Sequence, residues 1–268
     1  MKAKLIALDI DGTILDKPSG FSVPAAVREA VKDARKGGAR VCLCSSRPCF
    51  FMEDAIQGFD EIDALIGSSG AEIEIGGELY YRDSLPLTLL LDSLEIANRN
   101  GLYISFGGEE KILVLKRGED DPGNADPDLE SNANFALMNE GELLESFNKA
   151  YPSCAFIFLK PELAVENITG APEFATATLH STGYNCFIIT NKGTDKGTGV
   201  LRLADYYGIP HEAILAVGND NNDIPMLKVA GIGVAVANAS QGALDAAGWI
   251  APSVWEAGAA EAIRRYAL

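Results

Sequence analysis

The stretch Lys4-Leu5-Ile6-Ala7-Leu8-Asp9-Ile10-Asp11-Gly12-Thr13 decides how this chain is read. Its short apolar run reads as a buried parallel strand, so Asp9 emerges at the strand's carboxyl end. Open α/β sheets bind their ligands at that edge. Residues i and i+2 of an extended segment face the same way, so Asp9 and Asp11 can share one metal ion or divide nucleophilic and acid/base work between them. Gly12 permits a tight turn that a side chain would obstruct.

Working outward, Ser22 is expected to cap a helix with Pro24 in its first turn and apolar positions at Ala26, Val27, Ala30, Val31 and Ala34. Gly37-Gly38 ends it, and Arg40 to Cys44 reads as a second buried strand leading into Ser45-Ser46-Arg47-Pro48. Parallel crossovers are right-handed, which predicts that Ser45 emerges at the same sheet edge as Asp9. A helix over about 51–57, a strand at 64–67 and a hairpin with arms 72–75 and 79–81 around Gly76-Gly77 follow.

From about Arg82 the texture changes. A helix ending at Gly101, strands at 102–106 and 111–116, an acidic loop at 118–131, a helix near 141–150, a strand at 155–159 and alternating segments around 175–181 and 184–190 read as an inserted α+β domain. Doubly wound texture returns with a helix over 198–207, a strand at 213–217, the polar loop 218–223, a helix at 225–229, a strand at 233–236 and a closing helix through Ile263. The predicted fold class is therefore α/β: a Rossmann-like, doubly wound parallel sheet over 1–81 and 190–268, with an α+β cap over 82–189.

The chain's 268 residues, 47% hydrophobic, suffice for a substantial core. With 38 acidic against 22 basic residues the net charge is −16, which argues against nucleic acid or an anionic membrane as partner and requires a cation to help hold any anionic substrate. No apolar run approaches the roughly 18 residues of a membrane span, and no signal-peptide pattern precedes the first strand; a cytoplasmic location is expected. The five cysteines show no paired zinc spacing and read as reduced, and Cys42 and Cys44, alternating along a strand, read as small buried hydrophobes. Cys49, beside Ser45-Ser46-Arg47, is the one thiol placed where reactivity would matter. Neither His180 nor His211 sits in a ligand-spaced cluster.

Four loops are predicted to converge: 9–13, 45–47, the neighbourhood of Lys196, and 218–223. They offer carboxylates, hydroxyls, amides and one amine, an inventory suited to Mg²⁺ and to a phosphate ester. A cation offsets the repulsion between a phosphoryl group and an attacking carboxylate, while the lysine and hydroxyl stabilise non-bridging oxygens and a second carboxyl protonates the leaving alkoxide.

Asp9-Ile10-Asp11-Gly12-Thr13, Ser45, Lys196-Gly197 and Gly218-Asn219-Asp220-Asn221-Asn222-Asp223 resemble, in order, the four motifs of the haloacid dehalogenase superfamily. The position of the insertion and the ending AGIGVAVANAS resemble its Cof-type sugar-phosphatase branch, subfamily IIB with a C2-type cap. The resemblance implies that Asp9 attacks phosphorus to form an aspartyl-phosphate and that Asp11 protonates the leaving oxygen and then activates water. It further implies that Ser45, Ser46, Arg47 and Asn222 bind the phosphate, that Thr13 frames it by helping to fix the loop, and that Lys196 neutralises its charge; Arg47 reads equally as a partner of a core carboxylate. Mg²⁺ is implied at the Asp9 carboxylate, the Asp11 backbone carbonyl and the side chain of residue 219, with Asp223 as a further candidate ligand or as the residue that orients the lysine or a metal-bound water. Two departures stand out: Asn219 where the family has aspartate, and Ser45-Ser46-Arg47 where it has Thr-Gly-Arg.

The expected function is Mg²⁺-dependent hydrolysis of a small phosphorylated metabolite, a sugar phosphate first, by a monomer or small homo-oligomer whose mobile cap closes over the substrate and sets specificity. Two rivals are a phosphotransferase or phosphomutase using the same intermediate, and a regulatory protein that binds phosphorylated ligands with weak turnover. The loop Ser68-Ser69-Gly70 reads equally as a plain turn or as a substrate contact.

Overall fold

The structure is a computed structural model that describes residues 2–16, 23–52, 59, 62–117, 132–159, 166–182 and 185–268. The expected acidic loop at 118–131, the cap residue Ser22 and most of the helix expected over 51–57 lie outside these residues. In chain order the elements used below are β1 (Leu5–Leu8), α1 (Ala25–Lys36), β2 (Arg40–Cys44), β3 (Ala64–Gly67), β4 (Glu72–Ile75), β5 (Glu78–Arg82), α2 (Leu87–Asn100), β6 (Tyr103–Gly107), β7 (Ile112–Leu115), β8 (Phe135–Met138), α3 (Glu140–Phe147), β9 (Cys154–Phe158), β10 (Ala177–Thr182) and β11 (Cys186–Asn191). Then come α4 (Lys196–Tyr207), β12 (Ile214–Gly218), α5 (Ile224–Val229), β13 (Ile232–Val236), α6 (Gln241–Ala246), β14 (Trp249–Ala251) and α7 (Gly258–Ala267).

The chain divides into two compact units, Met1–Tyr81 with Thr194–Leu268, and Arg82–Gly193. Strand β11, through Asn191, pairs antiparallel with β9 and β10 inside the inserted sheet.

The first unit is built on a sheet of order β14-β13-β12-β1-β2-β3-β4-β5. From β14 to β3 neighbouring strands run parallel; β4 turns back antiparallel to β3. Strand alternation sorts β1 between two cores. Ile6 and Leu8 join Val41, Leu43, Val217 and the apolar faces of α1 and α7, whereas Leu5 and Ala7 join Cys42, Cys44, Ala216 and the inner faces of α4 and α5. Leu5, Ile6 and Leu8 are fully buried, and each such side chain contributes roughly 1.5–3 kcal/mol of transfer free energy. This double burial explains why β1 is an uninterrupted apolar run and why helices cover both faces.

Pro24, expected in the first turn of α1, takes the cap position one residue before it. A short strand that the sequence reading did not separate, β14, closes the far edge beside β13.

The inserted unit has its own sheet, of order β10-β11-β9-β6-β7-β8, and its own core, in which α2 and α3 contribute Leu90, Leu94, Leu143 and Phe147 against Ile104, Phe106, Ala155 and Ile157. Its strands pair antiparallel except β7 with β8. Strand β8, half-buried along its whole length, was absent from the sequence reading. Gly101, in the left-handed conformation, terminates α2 where expected, and an Asn139–Glu142 capping box starts α3. Among the described residues, no helix is long and apolar enough to cross a membrane.

Candidate active site

Parallel pairing fixes which side chains meet. Leu8 lies opposite Leu43 on one side and Val217 on the other, so Asp9 and Ser45, which follow strand ends, and Gly218, the last residue of β12, lie at one sheet edge. Asp9 is anchored there by its N–H, which donates to the Val217 carbonyl at 3.0 Å. Lys196 arrives from the start of α4, held by a capping box in which Thr198 N–H donates to Asp195 Oδ1 at 2.8 Å and Thr198 Oγ1 accepts from Asp195 N–H at 3.0 Å.

Lys196 is fully buried between two carboxylates. Its Nζ donates to Asp9 Oδ1 at 2.7 Å and to Asp223 Oδ1 at 2.5 Å. Burial alone would discharge the lysine, but the negative charges of Asp223 and Asp9 outweigh it and hold the ammonium well above its ordinary value. Burial, and after it the charge of Asp223, pushes the Asp9 carboxyl up to about 7 against the opposing pull of Lys196.

The remaining oxygen of Asp223 is taken as well: Asp223 Oδ2 accepts from the N–H groups of Asn219 and Asp220 at 2.8 and 3.0 Å. Both oxygens are thus committed to the lysine and to the shape of the 218–223 loop. These surroundings match the expectation's second form, a residue that orients Lys196.

On the opposite flank of Asp9, Oδ2 accepts from Thr13 Oγ1 at 2.9 Å. Thr13, expected to help fix the loop and to frame the phosphate, has its hydroxyl between Asp9 and Asn219 Oδ1, 3.1 Å away. Gly12 adopts φ +83°, and a Cβ there would fall 2.3 Å from the Asn219 amide nitrogen, so the turn needs glycine on both counts. The inward-facing terminal atom of Asn219 lies 3.1 Å from the Asp11 carbonyl oxygen and 3.0 Å from Asp9 Oδ2. With the amide nitrogen inward, Asn219 donates to these oxygens; with its oxygen inward, three oxygens face one another, an arrangement that a bound cation would favour.

That set comprises a carboxylate, a backbone carbonyl and an amide oxygen, a donor type suited to Mg²⁺. Octahedral Mg²⁺ at about 2.1 Å places neighbouring ligand oxygens about 3.0 Å apart, so the residues present fit the ion. Among the described residues, no cluster of three or more His, Cys, Asp or Glu offers an alternative metal site.

Arg47 grips the Asp11 side chain at two points, Nε to Oδ2 at 2.9 Å and Nη2 to Oδ1 at 2.7 Å. Ser45 is buried and its Oγ accepts from Arg47 N–H at 3.2 Å. Asn222 Nδ2 donates to Ser46 Oγ at 2.8 Å, and Ser46 Oγ lies 2.9 Å from Ser69 Oγ. Ser69 was read from sequence only as part of a turn or a contact. Asn238 was missed: its Nδ2 donates to the Gly12 carbonyl at 2.8 Å, bracing the first loop. Its signal is a polar residue just after β13, at the same sheet edge as the others.

Cys49, expected as a reactive candidate, is buried in the core, with its Sγ directed at the Leu65 carbonyl. All five cysteines are buried. His180 is buried against Thr190 in the inserted sheet, and His211 is exposed beside Glu212.

Known proteins match this chain over nearly its full length. The family described as haloacid dehalogenase-like hydrolase matches residues 6–263. The chain is 28% identical to a phosphoglycolate phosphatase of Methanococcoides burtonii, covering 100% of this chain and 98% of that protein. It is also 28% identical to the 5-amino-6-(5-phospho-D-ribitylamino)uracil phosphatase YwtE of Bacillus subtilis, over 88% of each. Among solved structures, a haloacid dehalogenase-like hydrolase from B. subtilis superposes with a TM-score of 0.85 at 26% identity, covering 97% of this chain and 99% of the other.

Proposed function

The chain belongs to the haloacid dehalogenase-like hydrolase family and is a phosphatase of its Cof-type branch; we propose that it hydrolyses a phosphate monoester of a small metabolite, with Mg²⁺ as cofactor and Asp9 as nucleophile. The observation that carries this reading is Asp9 itself. One of its oxygens is bound to the buried Lys196, and the other faces Thr13 and the inward atom of Asn219.

Asp9, the Asp11 carbonyl and Asn219 would hold the cation, which when bound supplies positive charge that draws the phosphoryl oxygens and the attacking carboxylate together. Lys196 keeps its proton because two carboxylates flank it, so it presents a fixed cation to the developing charge on the phosphoryl group. Asp223 fixes that lysine and, through two N–H groups, the loop that carries Asn219 and Asn222.

Asp9 attacks phosphorus and the ester P–O bond breaks; Asp11 gives its proton to the leaving oxygen. Asp11 then takes a proton from the water that cleaves the aspartyl-phosphate, which returns Asp9 as a carboxylate and releases phosphate. For either transfer Asp11 must loosen one of its two bonds to Arg47, whose freed N–H groups are then available to phosphoryl oxygens. Ser45, Ser46 and Asn222 supply neutral donors around the same group.

The named relatives support a phosphorylated small molecule as substrate. Sugar phosphates head the candidates, and choice among them falls, in this reading, to the inserted unit. A screen of phosphorylated metabolites with and without Mg²⁺ tests the proposal: Mg²⁺-dependent phosphate release from at least one sugar phosphate is expected. Metal-independent turnover, or binding of phosphorylated ligands without turnover, would overturn it.

A further inference from the structure

Ser68 and Ser69 are fully buried and both adopt the left-handed backbone conformation, with φ +50° and +53°. That region is unfavourable for consecutive residues other than glycine, asparagine or aspartate, and such strain gathers at functional sites. The loop is held in place from two sides. Ser68 N–H donates to the Arg47 carbonyl at 2.8 Å and Ser69 N–H to the Ser45 carbonyl at 3.1 Å. Behind it, a Cβ on Gly70 would sit 2.0 Å from the carbonyl oxygen of Asp195, the residue that caps the helix bearing Lys196. Tertiary packing therefore forces Ser69 into a costly conformation, and its hydroxyl is delivered to one place, 2.9 Å from Ser46 Oγ.

A hydroxyl has one proton and two acceptor sites. Among the described residues, Ser46 Oγ is the partner recorded for the buried Ser69 hydroxyl. If Ser46 donated in that pair, the Ser69 proton would be buried without an acceptor, which is costly. Ser69 is thus the donor. Ser46 Oγ also accepts from Asn222 Nδ2 at 2.8 Å, so both its acceptor sites are filled. Its own proton is left to point away from both, and Ser46, unlike Ser69, is only partly buried.

Resting on the phosphatase reading above, we propose that Ser69 is a positioning residue: its hydroxyl, with the Asn222 amide, turns the Ser46 O–H outward as a donor to the phosphoryl group. Ser46, which stands where the resembled family carries glycine, becomes an added phosphate ligand whose direction is set by a strained, buried neighbour.

The test is equilibrium binding of inorganic phosphate in the presence of Mg²⁺, measured by calorimetry on the full chain, for wild type, Ser69→Ala, Ser69→Gly, Ser46→Ala and the Ser46→Ala/Ser69→Ala double variant. Losing a donor to a charged group predicts phosphate binding about tenfold weaker in each single variant. The Gly variant removes the hydroxyl while relieving the backbone strain, so it remains informative even if the Ala variant folds poorly. Because Ser69 acts through Ser46, the double variant is expected to bind no more weakly than Ser46→Ala alone. Wild-type affinity in Ser69→Gly, or losses that add in the double variant, would overturn the proposal while leaving the phosphatase reading intact. A wild-type protein that neither binds phosphate nor hydrolyses any ester would overturn both.

Discussion

Arg47 and Asp11 form a two-point ion pair, Nε to Oδ2 at 2.9 Å and Nη2 to Oδ1 at 2.7 Å, beside the proposed nucleophile. The planar fork holds both carboxylate oxygens, and Arg47 is itself steadied by the Phe51 ring, 5.5 Å from its guanidinium carbon. Lysine keeps the charge but not the fork. Arg47→Lys is expected to lower kcat about tenfold or more, approaching the loss in Arg47→Ala, with steady-state kinetics on the best ester as the measurement. A Lys variant as active as the parent would remove any role for the fork.

Lys196 links Asp9 to Asp223 in a buried triad. Removing its charge in Lys196→Met leaves two buried carboxylates facing each other, and such a break costs about 3–5 kcal/mol. The variant should melt well below the parent and show no turnover. Adding Asp223→Asn to it should recover part of the stability but none of the activity, as read by thermal denaturation and assay together.

Asn219 contributes an oxygen without a charge. Asn219→Asp is expected to tighten Mg²⁺ binding about tenfold, since ligand charge sets the affinity of such sites. Without the cation, the new carboxylate would lie about 3.0 Å from Asp9 Oδ2, so the variant should be less stable than the parent in chelator and regain stability on adding Mg²⁺. Calorimetric titration and paired melting curves measure both effects.

Away from the site, Asp63 ties α1 to the base of β2. It accepts from Arg35 Nε and Nη2, Arg40 Nη1 and the Val41 N–H. Burial would raise its carboxyl, but these donors prevail and hold it below the ordinary value of 3.8. A depressed folded-state pKa stabilises the protein above the unfolded value and loses that contribution as pH falls through the folded one. Asp63→Asn should therefore be less stable than the parent at pH 7 by roughly 1–2 kcal/mol, allowing for the solvent around Arg40. The gap should close as pH is lowered into the acid range, as followed by denaturant melts.

The core motifs were legible because their signals are local. Asp9 and Asp11 follow an unbroken apolar strand, Lys196 opens a helix behind an Asp-capped turn, and the 218–223 loop joins a buried strand to a helix. Parallel crossover geometry then suffices to gather them. The pairing of Arg47 with Asp11 and the sealing of Cys49 in the core depend on contacts between loops far apart in sequence, which no local pattern encodes.

Ser69 is the sharpest example. Its left-handed backbone runs against the preference of serine and exists only because the loops at 45–47 and 195 trap it. Strand β8 escaped notice for a different reason: half-buried on both faces, Phe135–Met138 shows no alternation.

The central claim is that Asp9 carries the phosphoryl group. It is tested most directly by quenching the enzyme within its first turnover of an activated aryl phosphate with Mg²⁺ and mapping the adduct by mass spectrometry. The predicted result is an acid-stable, base-labile phosphoryl group on Asp9 that forms before phosphate is released and is absent from a folded but inactive Asp9→Asn variant. Retained turnover in Asp9→Asn, or an adduct on any other residue, would contradict the account.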